Sequence, residues 1–306
     1  MRLGPAGTSG YDTRKFSVPT SLIMPDIPAP RRVAEPLPFT PPGGALARAL
    51  RAIVTERRLP TRLETARERL LKSLGRRRKM IQRGSLRFRV RRLAADEHFI
   101  DAVLDGFYAP PGYEIAPADV VIDVGANIGA FAVLAGQAAS AGRVLALEPA
   151  AENFALLEDN LRLNRLPNVK AIKAALAARS GTTTLYLADR SSGDHSTDPA
   201  MIERCRGTET VEGLTIAELL DRDALPACDL IKFNCEGAEV PIVLGLDEAT
   251  AARLRRIVLG YHVDVRHEKR PQADRLVRRL VDLGYTIDDY TDIIDTHRGT
   301  VFARRG

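Results

Sequence analysis

Residues 120–129, VVIDVGANIG, are the stretch that decides the fold. Five residues typical of a buried strand run into a turn that holds Gly125 and Gly129, and a helical pattern begins directly after it. Asp123 interrupts the apolar run, and a buried carboxylate needs polar partners. Ligands of open α/β sheets bind at the carboxyl ends of strands, where glycine lets the backbone approach them closely. The stretch therefore predicts a ligand site at the end of a buried strand.

Apolar strands and amphipathic helices alternate from about residue 84 onward. The predicted strands cover 120–124, 144–148, 169–175, 183–187, 230–234, 256–261, 286–289 and 300–303. The predicted helices cover 130–139, 151–164, 216–221, 240–245 and 270–283. Such alternation predicts right-handed βαβ crossovers and a mostly parallel sheet.

The spacing of the glycines distinguishes between cofactors. A dinucleotide fingerprint reads G-x-G-x-x-G, and here Asn127 stands where the second glycine would let the backbone reach a pyrophosphate. S-adenosylmethionine has no phosphate, and its carboxylate, ammonium and sulfonium suit amide donors with an acidic residue nearby. The turn therefore favours S-adenosylmethionine over a nicotinamide dinucleotide.

Glu148 follows Gly129 by nineteen residues and ends the second strand of this predicted sheet. A carboxylate at this place can accept hydrogen bonds from both ribose hydroxyls of an adenosine. Pro149 then turns the chain into a helix. Asn153 lies within one helical turn of Glu148, either as a further ligand contact or as a polar residue on the helix surface.

With the downstream residues included, residues 86–304 resemble the FkbM family of S-adenosylmethionine-dependent methyltransferases. The motifs that carry the resemblance are 121–129, Glu148-Pro149 with Asn153, Leu157, Asn160-Leu161, 174–176, 214–216, 229–239 and 261–263. The resemblance implies a Rossmann-like, seven-stranded, mostly parallel sheet with its last strand antiparallel and helices on both faces. It also implies an enzyme that transfers a methyl group, usually to a hydroxyl of a sugar or other natural product. The cofactor-binding residues predicted in this way are Asp123, Gly125, Ala126, Asn127, Gly129, Glu148, Asn153 and Ala175.

The chain departs from the family pattern K-x-D-x-E-G-A-E at Asn234, which replaces the aspartate. Asparagine cannot accept a proton or carry a charge at neutral pH. If the carboxylate acts as a base in relatives, this chain uses another group or is inactive. If the carboxylate is only a hydrogen-bond acceptor there, Asn234 can replace it.

Methyl transfer to a hydroxyl needs a base within reach of the acceptor oxygen. The candidates are Glu236, Glu239 and His262, beside Asn234 as a further catalytic position. We expect Glu236 to face the ligand and Glu239 to cap the following helix. The acidic and histidine residues at 262–268 do not match a metal-binding spacing, so no metal is predicted.

Three other features are open to two interpretations each. Residues 191–196, SSGDHS, form either a loop that faces the substrate or an ordinary surface loop. Tyr108 and Tyr113 precede the first strand of the predicted parallel sheet, and each either lines the acceptor pocket or packs in the core.

The N-terminal region differs in composition from the rest of the chain. Residues 1–45 hold nine of the 19 prolines, which predicts a disordered or loosely docked arm. A basic helical extension is predicted over 46–83, and residues 46–92 carry 17 basic and 3 acidic side chains. This extension is either a capping helix with a solvated basic face or a contact surface for RNA, an anionic membrane or an acidic partner. The methyltransferase domain is predicted over 84–306.

Composition narrows the class of protein. The chain is 45% apolar and 27% charged, and no apolar run is long enough to span a membrane. The first residues lack the apolar segment of a secretory signal, and three cysteines are too few for a disulfide framework. These features predict a cytoplasmic protein. The resemblance to the FkbM family implies a methyltransferase acting on a small molecule, with a non-catalytic scaffold of the same fold as the alternative.

Overall fold

The computed structural model describes residues 62–73, 75, 77–189, 191–262, 269–293 and 298–306. The predicted arm at 1–45 and residues 46–61 of the predicted extension lie outside these ranges. In chain order the elements are α1 (Arg62–Ser73), β1 (Arg78–Arg83), β2 (Leu86–Arg91), α2 (Asp96–Leu104), β3 (Val120–Val124), α3 (Ala130–Ala138), β4 (Arg143–Leu147), α4 (Ala151–Asn164), β5 (Val169–Ile172), β6 (Ala175–Leu176), β7 (Gly181–Ala188), β8 (Cys205–Leu214), α5 (Ile216–Arg222), β9 (Cys228–Phe233), α6 (Glu239–Leu244), α7 (Glu248–Ala251), β10 (Leu254–His262), α8 (Lys269–Asp282), β11 (Thr286–Ile293) and β12 (Arg298–Arg304).

The central sheet has seven strands in the described residues, in the order β11-β12-β10-β9-β3-β4-β5. Strand β3 lies at its middle and pairs in parallel with β4 and β9. Strand β12 runs antiparallel to both of its neighbours, β10 and β11. The prediction of a mostly parallel seven-stranded sheet with its last strand antiparallel is confirmed.

Helices cover both faces of this sheet, which is why its central strands are mostly apolar, with Asp123 of β3 and Lys232 of β9 as buried exceptions. The side chains of successive β3 residues lie on opposite faces of the sheet. Ile122 and Val124 pack in a core with α5, α6 and α8, while Val121 packs in a second core with α2, α3 and α4. Because β3, β4, β9 and β10 run parallel, their carboxyl ends share one edge of the sheet.

A second sheet of three strands, in the order β6-β8-β7, was not predicted. The strand predicted over 169–175 is divided, because β6 leaves the central sheet and pairs Ala175 with Gly213 of β8. The strand predicted over 183–187 lies in this second sheet and not in the central one. Strand β8 was not predicted, because most of its side chains are polar and exposed and its sequence does not alternate between apolar and polar residues.

The prediction of helix up to residue 83 is wrong for the segment Arg78–Arg83. Arg62–Ser73 is helical, but β1 and β2 form an antiparallel hairpin around Gly84, whose φ is +57°. Phe88 and Val90 are fully buried while arginines alternate with them, and this period of two favours a strand.

Acidic residues of the neighbouring helices neutralise much of the charge on this hairpin. Lys79 lies 2.6 Å from Glu97, Arg83 lies 2.6 Å from Asp101, and Arg89 lies 3.1 Å from Asp159. The basic composition of residues 78–91 is thus explained in part by pairing within the fold. Within the described ranges, no helix combines the length and the apolar character that crossing a membrane requires.

Candidate active site

A cavity of about 620 Å³ opens at the carboxyl edge of the central sheet. Its floor comes from the carboxyl ends of β3, β4, β9 and β10 and from the turns after the first three, and residues of α2 and of the 192–197 loop form its walls. Ligand pockets of this size hold a molecule as large as a nucleotide cofactor.

The turn after β3 is shaped by glycine. Gly125 has a φ of +73°, and a Cβ at this position would lie only 2.1 Å from the backbone oxygen of Asn234. Glycine is required both by this conformation and by the close passage of the β3 and β9 ends. Asn127 is held at a φ of +51°, and its N–H donates to Glu148 Oε2 at 2.8 Å.

Glu148 is the buried carboxylate at the end of β4. Besides Asn127, the Ala150 N–H donates to its Oε1 at 3.0 Å and Asn153 Nδ2 donates to Oε1 at 3.3 Å. Burial raises the pKa of Glu148 to about 7, although these hydrogen bonds act in the opposite direction. The two carboxylate oxygens offer about four acceptor sites, of which these donors use three, so Oε2 can still accept a hydrogen bond from a ligand in the cavity.

Asn153 joins three parts of the site. Its Nδ2 also donates to the Ser192 carbonyl at 2.9 Å, and its Oδ1 accepts from Arg91 Nη1 at 2.7 Å. The loop after β7 and the end of β2 are therefore both connected to the first turn of α4.

Asp123 and Lys232 form a buried ion pair behind the turn. Adjacent in the register of β3 and β9, they lie 2.9 Å apart, and Lys232 Nζ also donates to the carbonyls of Val124 and Gly125. Burial by itself would lower the pKa of Lys232, but the charge of Asp123 raises it above its ordinary value. All three donors of the ammonium are thus used to hold the turn in place.

His262 lies between two carboxylates at the end of β10. Its Nδ1 is 3.2 Å from Glu239 Oε1, and its Nε2 is 3.3 Å from Glu236 Oε1. Glu239 also accepts from the N–H groups of Cys235 and Gly237. Burial opposes its charge, but His262 and these donors place the pKa of Glu239 below its usual range. Of the two carboxylates, Glu236 lines the cavity and Glu239 is fully buried behind it.

Nine of the twelve residues predicted from the sequence line this cavity. They are Gly125, Ala126, Asn127, Glu148, Asn153, Ala175, Asn234, Glu236 and His262. The other three lie behind it: Asp123 in the ion pair, Glu239 beside His262, and Gly129 before α3, against Leu157.

Of the features left open by the sequence, Tyr108 and the 191–196 loop line the cavity, and Tyr113 does not. Tyr108 lines the cavity, with its ring 5.2 Å from Lys232 Nζ, whereas Tyr113 donates to Asp288 and packs in the core. His195 of the loop also lines the cavity. Burial, aided by Arg206 and Arg91, lowers its pKa to about 4, so its ring is neutral at pH 7.

Sequence reasoning missed Lys232 and Arg91 as parts of the site. A signal for Lys232 was present, because Asp123 and Lys232 each interrupt an otherwise apolar strand, and such charges pair when the strands are adjacent. No local pattern points to Arg91, which contacts Asn153 across 62 residues of chain.

A model of the methyltransferase FkbM domain matches residues 123–287, which is more than half of the chain. The chain belongs to the FkbM methyltransferase family. The cofactor of this family is S-adenosylmethionine, so the predicted cofactor is confirmed at the level of the family. The buried Glu148 carboxylate and a turn that a Cβ would fill are consistent with an adenosine-containing ligand at this cavity.

Two relatives and one solved structure are similar to this chain. AMB antimetabolite synthetase AmbE of Pseudomonas aeruginosa is 33% identical over 54% of this FkbM-family chain and 9% of its own length. The 31-O-demethyl-FK506 methyltransferase FkbM of Streptomyces tacrolimicus is 27% identical over 52% of the chain and 71% of its own. The structure of Aeropyrum pernix fibrillarin with S-adenosyl-L-methionine is similar with a TM-score of 0.43, at 16% identity over 74% of this chain and 82% of that one.

Proposed function

We propose that this chain transfers the methyl group of S-adenosylmethionine to a hydroxyl oxygen of a sugar or other natural product. The observation that carries the proposal is the position of Glu236 and His262 on the same cavity as Glu148. One end of the cavity thus offers a carboxylate for ribose hydroxyls and the other a group able to take a proton. The name of the Streptomyces relative, a 31-O-demethyl compound's methyltransferase, is consistent with an oxygen acceptor.

The residues of the site have distinct tasks in this proposal. When bound, S-adenosylmethionine supplies a methyl group made electrophilic by its sulfonium. Glu148, Asn153 and the turn at Gly125 hold the adenosine, and Glu236 takes the proton of the acceptor hydroxyl. With a proton on each ring nitrogen, His262 donates its Nδ1–H to Glu239 and its Nε2–H to Glu236, and the imidazolium stabilises the Glu236 carboxylate.

Asn234 fits this scheme as a neutral residue. Its N–H donates to the Val124 carbonyl at 3.1 Å, and its side chain lies in the cavity beside Gly260. With Glu236 and His262 present, no carboxylate at position 234 is needed to remove a proton. An amide there can still donate to or accept from a ligand.

The proposal is tested by replacing Glu236. E236Q is expected to lower turnover about 10²- to 10⁴-fold, because a carboxamide cannot take the acceptor's proton. Its affinity for S-adenosylmethionine should stay near wild type. The measurement is a mass-detected methyl-transfer assay over sugars and hydroxylated natural products, combined with calorimetric titration of the cofactor.

The matched control is E248Q, at an exposed glutamate in α7 that does not line the cavity. E248Q should be fully active. A wild-type protein that binds no S-adenosylmethionine would contradict the proposal, and so would an E236Q variant as active as wild type.

Cofactor affinity is also expected to depend on pH through Glu148. The ionised carboxylate accepts ribose hydroxyls better, and burial raises its pKa to about 7. Below that pH the dissociation constant should rise, approaching about tenfold per pH unit. Folding stability depends on pH in the opposite direction. Because the pKa of Glu148 is higher in the folded protein than its ordinary value of 4.5, folding stability falls as pH rises from 4.5 to about 7.

Titration of S-adenosylhomocysteine across the range from about pH 5 to about pH 8 measures this dependence. E148Q, which has no titratable group at this position, should show weaker and nearly constant affinity. A wild-type profile that is flat across the same range would remove Glu148 from the role given to it.

A further inference from the structure

Arg91 lies outside the segment that matches the family, 123–287, yet its side chain contacts Asn153, which lines the candidate site. Only 10% of this side chain is exposed. It ends β2, the second strand of the basic hairpin, and its guanidinium contacts Asp96, Asn153 and Asn127.

Asp96 holds the guanidinium from one side. Arg91 Nε and Nη2 donate to its two carboxylate oxygens at 3.0 and 2.7 Å, and the Arg91 N–H donates to it as well. Asp96 is 99% buried, so this pair is exposed to little competing water. Two parallel bonds fix the plane of the guanidinium, which a lysine ammonium could not reproduce.

The remaining donor, Nη1, decides the orientation of the Asn153 amide. Because Nη1 donates to Oδ1 at 2.7 Å, Nδ2 must point the other way, toward Glu148 Oε1 and the Ser192 carbonyl. A rotated amide would place its oxygen against the Glu148 carboxylate, which is repulsive in a buried site.

The hairpin is fixed to the helix that carries Asn153. Asn160 and Asn164, one turn apart on α4, each bond both the N–H and the carbonyl of a β2 residue. Asn160 pairs in this way with Arg89, and Asn164 with Arg87, at 2.6 to 3.2 Å. Strand β2 and helix α4 therefore keep Arg91 and Asn153 at a constant separation.

We propose that the β1–β2 hairpin is part of the cofactor site and that Arg91 is a positioning residue, which orients Asn153 toward the carboxylate that binds the ribose. This inference rests on the proposed function, since it requires that Glu148 accept the ribose hydroxyls of the cofactor. The minimal functional unit then begins before β1 and not at the start of the family segment.

The test compares two ligands on the full-length chain: S-adenosylhomocysteine and its 3′-deoxyribose analogue. R91K is expected to bind S-adenosylhomocysteine about ten- to a hundredfold more weakly, the range for a lost hydrogen bond to a charged group. The affinity of R91K for the analogue should fall much less relative to wild type, because the analogue lacks a hydroxyl that can donate to Glu148. The preference of wild type for the ribose ligand should thus shrink in R91K.

R87K is the matched control, because Arg87 lies exposed on the same strand. R87K should bind both ligands like wild type. If R91K does not fold, as judged by circular dichroism, D96N takes its place, since it weakens the same pair without removing the arginine. An equal loss for both ligands, or no loss, in the folded variant overturns the inference. Failure of the wild type to bind either ligand overturns the proposed function as well, so the two failures are distinguishable.

Discussion

Alanine at position 148 is expected to weaken binding of S-adenosylmethionine by about ten- to a hundredfold. A hydrogen bond from a ribose hydroxyl to the buried carboxylate is worth about 1.5–3 kcal/mol. The substitution also leaves the N–H groups of Asn127 and Ala150 without their acceptor, so the turn after β3 loses a fixed contact. Isothermal calorimetry on the purified full-length chain measures the effect.

E152A is the control for this variant. Glu152 lies one turn further on, in the first turn of α4, but its side chain is 48% exposed and pairs only loosely with Arg206 at 3.5 Å. E152A should bind the cofactor within about twofold of wild type, as expected for loss of a surface pair. Equal affinities of E148A and E152A would show that the carboxylate at the end of β4 does not bind the ligand.

Alanine at position 125 is expected to lower the free energy of unfolding by about 3–5 kcal/mol and to abolish cofactor binding. Part of the loss is the strain of a non-glycine residue at φ +73°, and part is overlap with the Asn234 carbonyl, 2.1 Å from the new Cβ. Because this carbonyl belongs to backbone, relief requires the β3 and β9 ends to separate. Urea unfolding followed by circular dichroism gives the stability, and calorimetry gives the binding.

G112A is the control variant that distinguishes backbone strain at a positive φ from steric overlap of the new Cβ. Gly112 has a similar φ of +91°, but a Cβ there meets nothing within 4 Å. G112A should lose only about 1–2 kcal/mol and retain cofactor affinity. If G125A were no less stable than G112A, the close passage of the two strand ends would not be the reason for glycine at position 125.

Much of the central layer was predictable because its strands are buried on both faces. Residues 120–124 and 151–164 have the predicted boundaries, since an apolar run and a clear helical repeat both end at strong turn signals. The second sheet was not predictable on these grounds. Its strand Cys205–Leu214 is mostly exposed and polar, so nothing in its period distinguishes it from a loop.

The same distinction holds for the site: residues in short motifs were predictable, and contacts made by tertiary packing were not. The glycine turn and Glu148 are readable because strand ends in this fold converge on one edge. The place of Glu236 on the cavity agrees with the expectation that it faces the ligand, whereas the full burial of Glu239 beside His262 depends on packing that no short pattern encodes. The contact of Arg91 with Asn153 depends on how a hairpin docks on a helix, which no short pattern encodes.

The docking of β2 on α4 also bears on self-association. An unpaired strand edge is a template on which a strand of another molecule can add, and this is a common route to aggregation. The edge of β2 that faces away from β1 has its Arg87 and Arg89 backbone groups occupied by the amides of Asn164 and Asn160. At this edge the chain is protected by two helix side chains that imitate a neighbouring strand, so growth of the hairpin into an intermolecular sheet is blocked there.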